Sequence, residues 1–530
     1  MVICLDIFGK NWYKKQKKWI YSFLISRVSA MQQPVQYSSA ICALVSWLVP
    51  VLLIFSPFPA LANNVAVSNA SLSESSQSQT SVVRFDISWD NSWRNVVNYD
   101  AAWVFIKYSA DNGTNWQHAT MKTAGANPLG FSVDAGTNLD IIVPADLKGA
   151  FLQRPTDDRA QGRVASQIVR LVWDYNADGL TATNVVMITV YAVEMVCIPQ
   201  GSFYAGSGGA GANEFTLTQI NTANASSSGG YPTGQMVPIA SWPNGYAGNY
   251  AMKYEISQGQ YRDFLNSLTA VQSANRCSIA GAGEFMCGSS GVTTPQNRNG
   301  IQKQAVGYVC NLDNDANYNE GEDGESIACN WLNWADLAAF ADWAALRLMT
   351  ELEYEKLCRG LSTALSNEYP WGASYGVRAS RGIVNAGLDS EAATDASNYA
   401  NCTATNHLSV QGPLRCGAFA GSATQKTRMQ AGAGCYGNME LAGNVWERCV
   451  TIGHATGRAY TGVHGNGILT AAGEADAANW PGTDAVGAGA RGGSWYDDVS
   501  RLRTSGRENA FVTDAARTAT YGGRCIRTAP

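Results

Sequence analysis

Three short segments in the C-terminal part of the chain decide how it folds: GNVWERC at 443–449, RGGSW at 491–495 and GGRC at 522–525. None of them has the period of a helix or a strand. Glycine permits positive φ and close backbone approach, whereas buried tryptophan and arginine need hydrogen-bond partners. The segments therefore predict irregular backbone that buried side chains hold together.

Composition limits the classes of protein to consider. The chain has 530 residues, enough for two or three domains, with 53 glycines, 15% charged residues and a net charge of −5. We find no basic stripe with interleaved aromatic residues, so we expect no nucleic-acid partner. The glycine- and aromatic-rich profile favours an extracellular β or mixed fold over a helical cytosolic enzyme.

The N-terminal 62 residues read as a signal peptide. Lysines precede an apolar run at 41–55, and Ala60 and Ala62 form an A-x-A cleavage motif before Asn63. The alternative is an uncleaved membrane anchor. Nothing later reaches the roughly 18 apolar residues of a membrane-spanning helix. We therefore expect an exported protein, secreted or at the cell surface, without a membrane span once the signal is removed.

The next two regions differ in pattern. Residues 63–80 are rich in Ser, Asn and Gln and predict a flexible lead-in. Residues 81–194 predict a β-sandwich, because Val83, Phe85, Ile87 and Trp89 alternate with polar residues and several further short apolar runs follow between turn signals. Those further runs are 102–109, 139–144, 166–173 and 185–193.

Residues 195–530 predict an α+β region with few helices. Two helices start at capping boxes, Ser257 with Gln260 and Thr350 with Glu353, and a third apolar helix follows Asn333. Gly360 is the expected stop of the second capped helix. Beyond Gly360 the periodic patterns disappear, so we expect about 170 residues of loop-rich chain.

The motifs in this region resemble those of the formylglycine-generating-enzyme family, also called the sulfatase-modifying-factor domain. Besides the three opening segments, they are MVCIPQGSFYAGS (195–207), KYEISQGQY (253–261), the stretch 330–360 ending in LCRG, and YPWG (369–372). The resemblance implies a variant of the C-type lectin fold across 195–530. In the family's oxidases, two cysteines after the GGS segment hold copper.

The positions of those two cysteines fall here at about Asp497 and Leu502. Copper(I) needs thiolate or thioether ligands, so we expect no copper and no formylglycine-generating activity. The resulting hypothesis is a non-catalytic domain for binding, adhesion or self-assembly, with a protein, a glycan or a second copy as partner. The alternative is a metal-dependent oxidoreductase, with His454, His464 and Asp497 as a 2-His-1-carboxylate set.

Eleven cysteines remain after removal of the signal, which is an odd number for an oxidising compartment. The family resemblance implies a bridge between Cys358 and Cys525, which leaves Cys197 as the residue without a partner. For the other cysteines, spacing leaves the connectivity open. The nearest couples in sequence are Cys277 with Cys287, Cys310 with Cys329, Cys402 with Cys416, and Cys435 with Cys449.

Calcium is the expected structural ion. The resemblance implies calcium ligands at Asn385 and at Asn444 with Val445. Separately, Asp313, Asp315 and Asn317 alternate as hard oxygen ligands do, although the glycine and the glutamate of a full calcium loop are missing. The alternative for that stretch is a solvated surface loop. A D-x-N-x-D-G run at 174–179 also fits a tight Asx-rich turn.

Overall fold

We analysed a computed structural model of the chain. It describes residues 64–73, 79–158, 160–209, 213–232, 235–376, 382–394, 400–403, 410–420 and 427–530. Contacts divide the chain between Pro59 and Ala60, and every described residue belongs to the second unit. The predicted signal peptide at 1–62 lies outside the described residues. Within those residues, no helix is long and apolar enough to cross a membrane.

Strands dominate the described chain. In chain order they are β1 Ala66–Leu72, β2 Ser81–Trp93, β3 Asp100–Ser109, β4 Gln117–His118, β5 Gly125–Ala126, β6 Ser132–Gly136, β7 Asp140–Val143, β8 Ala150–Gln153, β9 Gln161–Trp173, β10 Met187–Ile198, β11 Phe203–Ala205, β12 Thr218–Ile220, β13 Asn249–Met252, β14 Ile301–Lys303, β15 Tyr308–Cys310, β16 Arg347–Leu348, β17 Ile383–Val384, β18 Ala392–Ala393, β19 Trp446–Val450, β20 Ala488–Arg491, β21 Tyr521–Gly522 and β22 Cys525–Thr528.

Helices are few and short. They are α1 Ala225–Ser228, α2 Gln258–Asn266, α3 Ala270–Asn275, α4 Trp334–Trp343, α5 Glu351–Arg359 and α6 Ala455–Arg458, with a 3-10 turn at Val499–Leu502. Both predicted capping boxes are formed, at Ser257 before α2 and at Thr350 before α5. Gly360 ends α5 at φ 66°, as its position predicts.

The first sheet has the order β1-β2-β9-β6, and its pairs are antiparallel. The alternation predicted for β2 is confirmed, because Val83, Phe85, Ile87 and Trp89 are all at most 2% exposed. Strand β1 corrects the prediction of a flexible lead-in at 63–80. Its residues 66–72 pair with β2 as an edge strand, since backbone hydrogen bonds to a neighbouring strand need little apolar side chain.

The second sheet runs β16-β22-β13-β10-β3-β8-β7-β5, with β4 paired to β3. Strand β10 pairs with β3 over ten residues and, through its C-terminal half, with β13. The predicted domain boundary at 194/195 falls inside β10. The sheet is therefore continuous from the N-terminal strands into the strands that carry the family-like motifs.

Hydrophobic clusters cover both faces of this long sheet. Side chains of β2, β3, β8 and β9 share one cluster between the two sheets. Helix α4, which is buried along its whole length, lies in another cluster, together with Trp103 and Phe105 of β3. The described chain is therefore a strand-rich α+β fold, as predicted at this level.

The three signature segments are more regular than their sequence predicts. Strand β19 pairs antiparallel with β20 and parallel with β21, so the small sheet contains 446–449 of GNVWERC, Arg491 of RGGSW and Gly522 of GGRC. All five residues of β19 are buried. A strand that is buried on both faces has no alternating pattern, so sequence periodicity missed it.

Candidate functional site

The site expected for the copper-binding cysteines contains no thiol at either position. Asp497 Oδ2 accepts hydrogen bonds from Ser494 N (3.1 Å) and Ser494 Oγ (2.5 Å). Its other oxygen lies 3.5 Å from Arg501 Nε. Burial raises the pKa of Asp497 above its usual range, and these donors oppose that rise. The carboxylate is thus engaged by its own loop.

Leu502 occupies the second position as a packing residue. It is fully buried and shares a hydrophobic cluster with Tyr369, Trp371 and Ala442. A leucine side chain supplies no donor atom for a metal. The two positions are therefore occupied by a hydrogen-bonded carboxylate, Asp497, and a buried apolar side chain, Leu502.

The structure does not bring His454, His464 and Asp497 together. His454 Nδ1 accepts from Thr456 N and caps α6, whereas His464 Nε2 accepts from Thr528 N and its Nδ1 lies 3.7 Å from Asp146. Among the described residues, the only group of three or more His, Cys, Asp or Glu with the spacing of metal ligands lies elsewhere. The 2-His-1-carboxylate set of the alternative hypothesis is therefore not assembled in the described chain.

Trp446, in strand β19, and Trp495, which follows strand β20, are both buried. Trp446 packs with Ala490 and Tyr521. The Trp495 indole Nε1 donates to the carbonyl of Ala519 at 2.9 Å. Both side chains are at most 5% exposed, so neither presents an open face for a sugar ring.

Arginines next to these segments form buried ion pairs with helix α5. Arg491 contacts Glu351 (3.3 Å) and Glu355 (2.7 Å), and Arg507 contacts both oxygens of Glu351. Glu355 also pairs with Arg359 at 3.1 Å. The sequence predicted that buried side chains hold these segments together, but it did not identify the glutamates. Their i,i+4 spacing on one helix face was the available signal.

A second buried group surrounds Asn444. Glu255, Glu440 and Glu447 are all buried, and Arg524 Nε bonds Glu447 Oε1 at 2.6 Å. Burial raises the pKa of Glu440 to about 7, whereas Gly417 N and the guanidinium of Arg524 oppose the rise. Burial also raises the pKa of Glu255 and of Glu447.

The family comparison matches this geometry. The sulfatase-modifying factor enzyme 1-like domain covers residues 186–529, more than half of the chain, and includes α5, the small sheet and both buried ion-pair groups. The chain belongs to the sulfatase-modifying factor family. No curated protein matches the chain. A solved structure, Treponema denticola variable protein 1, is similar at 15% identity and a TM-score of 0.26, covering 64% of this chain and 96% of that chain.

At Asn444, one of the residues that the family resemblance implies as calcium ligands, both ends of the side-chain amide have protein partners. Asn444 Oδ1 already accepts from Leu414 N (2.7 Å) and Asn401 Nδ2 (3.1 Å), which uses both of its lone pairs. Its Nδ2 donates to Glu255, whose other oxygen accepts from the backbone N of Val445. Asn385 sits at φ 55° and donates to the carbonyl of Ser390.

The acidic loop between β15 and Cys329 places carboxylates together. Oxygens of Asp313, Asp315 and Glu320 lie within 4.8 Å of one another. Asn317, predicted as a third ligand, instead donates from its backbone N and its Nδ2 to Asp315. The third residue of this close group is therefore Glu320, and not Asn317. The D-x-N-x-D-G run at 174–179 is a separate feature. The carboxylate of its Asp178 accepts hydrogen bonds from Trp173 Nε1, Thr120 N and Thr120 Oγ1.

The Cys358–Cys525 bridge implied by the family is not formed, and both thiols are free. Cys358 packs in a cluster with Ile526, whereas Cys525 belongs to the cluster that contains α4. Consecutive residues of a strand point to opposite faces of the sheet. Because Ile526 and Cys525 are consecutive in β22, the two cysteines lie on opposite sides of it.

The other predicted cysteine couples differ in placement. Cys310 and Cys329 share one cluster, and the pKa of Cys329 is raised by burial and by the neighbouring Cys310. Cys402 and Cys416 lie in different clusters. The remaining thiols point to separate surroundings. The Cys277 thiol donates to the carbonyl of Ser273, and the Cys287 thiol donates to the carbonyl of Ser289. Cys435 packs against the cluster that contains Cys358, whereas Cys449 lies in β19.

Cys197, expected to be left without a partner, is half-buried in β10. Burial raises the pKa of its thiol, and the hydroxyls of Tyr99 and Tyr250 oppose that rise.

A groove of about 550 Å³ lies between β1, β10 and α2. Aromatic and charged side chains line it together, among them Tyr191, Gln260, Arg262, Asp263, Glu325 and Trp343. The indole N–H of Trp343 is buried and has no hydrogen-bond partner. Mixed aromatic and polar linings of this kind suit small polar ligands with a ring face. Sequence analysis did not find this groove, because its lining residues come from distant segments.

Proposed function

We propose that this protein is an exported member of the sulfatase-modifying factor family whose domain serves binding, adhesion or self-assembly at the cell surface, and not oxidation of cysteine. The observation that carries the proposal is the pair Asp497 and Leu502. A carboxylate bonded to Ser494 and a leucine in a closed hydrophobic cluster cannot hold copper(I). In this proposal, the N-terminal strands, whose second sheet continues into the family domain, form the platform that supports its loops.

Rigidity of the domain supports a recognition role. Arg491, Arg507 and Arg524 tie loops to buried glutamates, so the long irregular segments rest on a fixed frame. Loops on a rigid scaffold vary without loss of the fold and commonly carry binding residues. The export part of the proposal rests on the charged and apolar pattern of residues 1–62.

The groove between β1, β10 and α2 is the proposed contact for a glycan. Its charged residues Arg262, Asp263 and Glu325 offer hydrogen bonds to sugar hydroxyls, beside the aromatic side chain of Tyr191. Asp263 is the accessible member of this set, since 43% of its side chain is exposed. It is therefore the residue of choice for testing the groove.

The catalytic part of the proposal is tested with the purified mature protein, copper(I), oxygen and a cysteine-containing peptide substrate. We expect unchanged peptide by mass spectrometry, with a family oxidase as positive control. Conversion of the peptide thiol to an aldehyde would overturn the proposal. Stoichiometric copper or iron in the purified protein would overturn it as well.

Location and binding need two further measurements. Protease added to intact producing cells should digest the protein, and its protection until lysis would contradict surface exposure. On a glycan array, the wild type should bind a defined subset of glycans, and Asp263→Ala should lose that signal. The matched control Glu508→Ala removes an exposed carboxylate outside the groove and should bind as the wild type does. Equal loss in both variants would exclude the groove.

A further inference from the structure

The side chain of Lys253 is buried between two carboxylates, where the N-terminal strands meet the strands of the family domain. Its Nζ lies 3.0 Å from Glu194 Oε2 and 3.6 Å from Asp100 Oδ2, and all three side chains are at most 2% exposed. Asp100 opens β3, Glu194 lies in β10, and Lys253 directly follows β13. Because β10 lies between the other two strands, the sheet brings the three side chains to one place.

The group has an excess of negative charge when all three side chains are ionised. Among the ion pairs of the described residues, Asp100 and Glu194 share the single ammonium of Lys253. The rings of Trp93 and Tyr254 lie 5.1 and 5.5 Å from that ammonium. A buried charge without a partner is costly, so such a group takes up a proton. Accordingly, burial raises the pKa of Asp100 and of Glu194.

The carboxyl group of Asp100 has the hydrogen-bond donors that an attacked carbonyl group needs. Its Oδ1 accepts from Ser92 Oγ at 2.8 Å and from Trp93 N at 3.1 Å. Its Oδ2 accepts from Trp89 Nε1 at 3.0 Å. Donors in fixed positions stabilise the negative charge that develops on a carbonyl oxygen when a nucleophile adds to the carbon. Asp100 is therefore the electrophile of the group.

Glu194 is in position to carry the proton of Lys253. Its Oε2 accepts a hydrogen bond directly from Nζ. Burial disfavours the charge on Lys253, but Glu194 and Asp100 favour it, and the pKa of Lys253 lies above its usual range. The ammonium therefore has to lose a proton before its nitrogen attacks. A carboxylate in direct hydrogen-bond contact is a suitable general base for this step.

We propose that Lys253 and Asp100 form an intramolecular amide bond, with Glu194 as the proton carrier. Glu194 accepts a proton from Nζ, and the neutral amine adds to Cγ of Asp100, which forms the C–N bond. Glu194 then returns the proton to the departing hydroxyl group, and the C–O bond breaks with release of water. The ammonium and the carboxylate together contain all atoms of the amide and the water, so the reaction needs no oxidant and no further reactant.

Burial favours both the reaction and its product. The fold holds the amine against the carboxyl group, which replaces a chance encounter by a fixed approach. The product exchanges a buried ion pair for a neutral amide, which is easier to keep out of water. The bond would join β3 to the residue after β13 and close a loop of about 150 residues, which restricts the unfolded chain as a disulfide does. Unlike a disulfide, it would resist reduction.

The test is mass spectrometry of the purified mature protein after denaturation and reduction. We expect a mass that is lower, by one water molecule, than the mass calculated from its determined N-terminus. Trypsin does not cleave after an acylated lysine. Residues 95–107, which contain Asp100, should therefore be found joined to a peptide that runs from 171 through Lys253 to Arg262. Fragmentation of the joined peptides locates the bond.

Glu194→Gln is the most informative variant, because it keeps the shape of the side chain and leaves Lys253 paired with Asp100 alone. We expect a folded protein by circular dichroism, with the full calculated mass and no joined peptides. Asp100→Asn should still form the bond, but with loss of ammonia in place of water, which identifies the attacked group. The matched control Lys122→Arg changes a lysine whose side chain is 43% exposed in an ion pair, and should keep the bond.

Three outcomes would overturn the proposal. The first is a folded wild-type protein in which residues 95–107 are entirely free. The second is a bond between Lys253 and Glu194, which would leave Asp100 unmodified. The third is complete bond formation in folded Glu194→Gln, which would exclude Glu194 as the proton carrier. None of these outcomes depends on the binding role of the domain.

Discussion

Arg491 places its Nη2 atom 2.7 Å from Oε1 of Glu355, and neither side chain is exposed. The pair joins the RGGSW segment to helix α5, about 140 residues earlier in the sequence. Arg491 also reaches Glu351 and the carbonyl of Thr504. A loop-rich domain thus gains order from a charged contact that a helix holds in position.

Replacement of Arg491 should be strongly destabilising. In Arg491→Met, two buried carboxylates lose a shared cation, and Arg507 and Arg359 compensate only in part. Breaking such a pair typically costs about 3–5 kcal/mol, and we expect the lower end of this range in urea unfolding. The control Arg501→Met removes an arginine whose side chain is 39% exposed, and should cost less than about 1 kcal/mol. Equal losses would contradict the assignment.

Stability should fall between pH 5 and pH 8 because of Glu440. Burial raises the pKa of this carboxyl from 4.5 to about 7 in the folded state, beside Glu447, Glu255, Arg524 and Arg415. The folded state then holds the proton more tightly than the unfolded state does. This contribution is present at low pH and is lost as the pH rises through 7.

Glu440→Gln tests this dependence, because the amide keeps an acceptor for Gly417 N but cannot ionise. We expect the free energy of unfolding to decline by up to about 3 kcal/mol across this range in the wild type, and clearly less in the variant. Urea titrations at pH 5, 6, 7 and 8 measure both slopes. Parallel curves for the two proteins would show that Glu440 does not titrate as described.

Leu502 should behave as a core residue although it stands where the family's oxidases carry a thiol. It is fully buried among Tyr369, Trp371 and Ala442. Leu502→Ala removes three buried carbon atoms and leaves a cavity, which should cost about 2–5 kcal/mol. Val463→Ala, at a side chain 47% exposed, is the comparison and should change stability by less than about 0.5 kcal/mol. A neutral Leu502→Ala would mean that the site is open.

Alkylation of the unfolded, non-reduced protein should modify Cys358 and Cys525. The two thiols lie on opposite faces of β22 and cannot reach each other. Cys310 and Cys329, which share a cluster, are the couple expected to resist alkylation in protein exported into an oxidising compartment. Peptide mapping by mass spectrometry reads both results. A Cys358–Cys525 peptide would refute the placement of these residues.

Local signals in the sequence predicted local structure well. The capping boxes at Ser257 and Thr350 and the stop at Gly360 are found as predicted, because a helix start or stop depends on residues within one turn. The alternation of β2 is equally local. Strands β19 and β1 were missed for opposite reasons: β19 is buried on both faces, and β1 has little apolar side chain.

The sequence by itself determined the family, the loss of the copper-binding thiols and the main helices, since each depends on residue identity at short spacing. Only the tertiary structure decided which charges meet. Glu355 pairs with Arg491, 136 positions further along the chain, and Cys525 lies on the side of β22 opposite to Cys358. Such contacts depend on sheet faces and buried geometry, which no local pattern encodes.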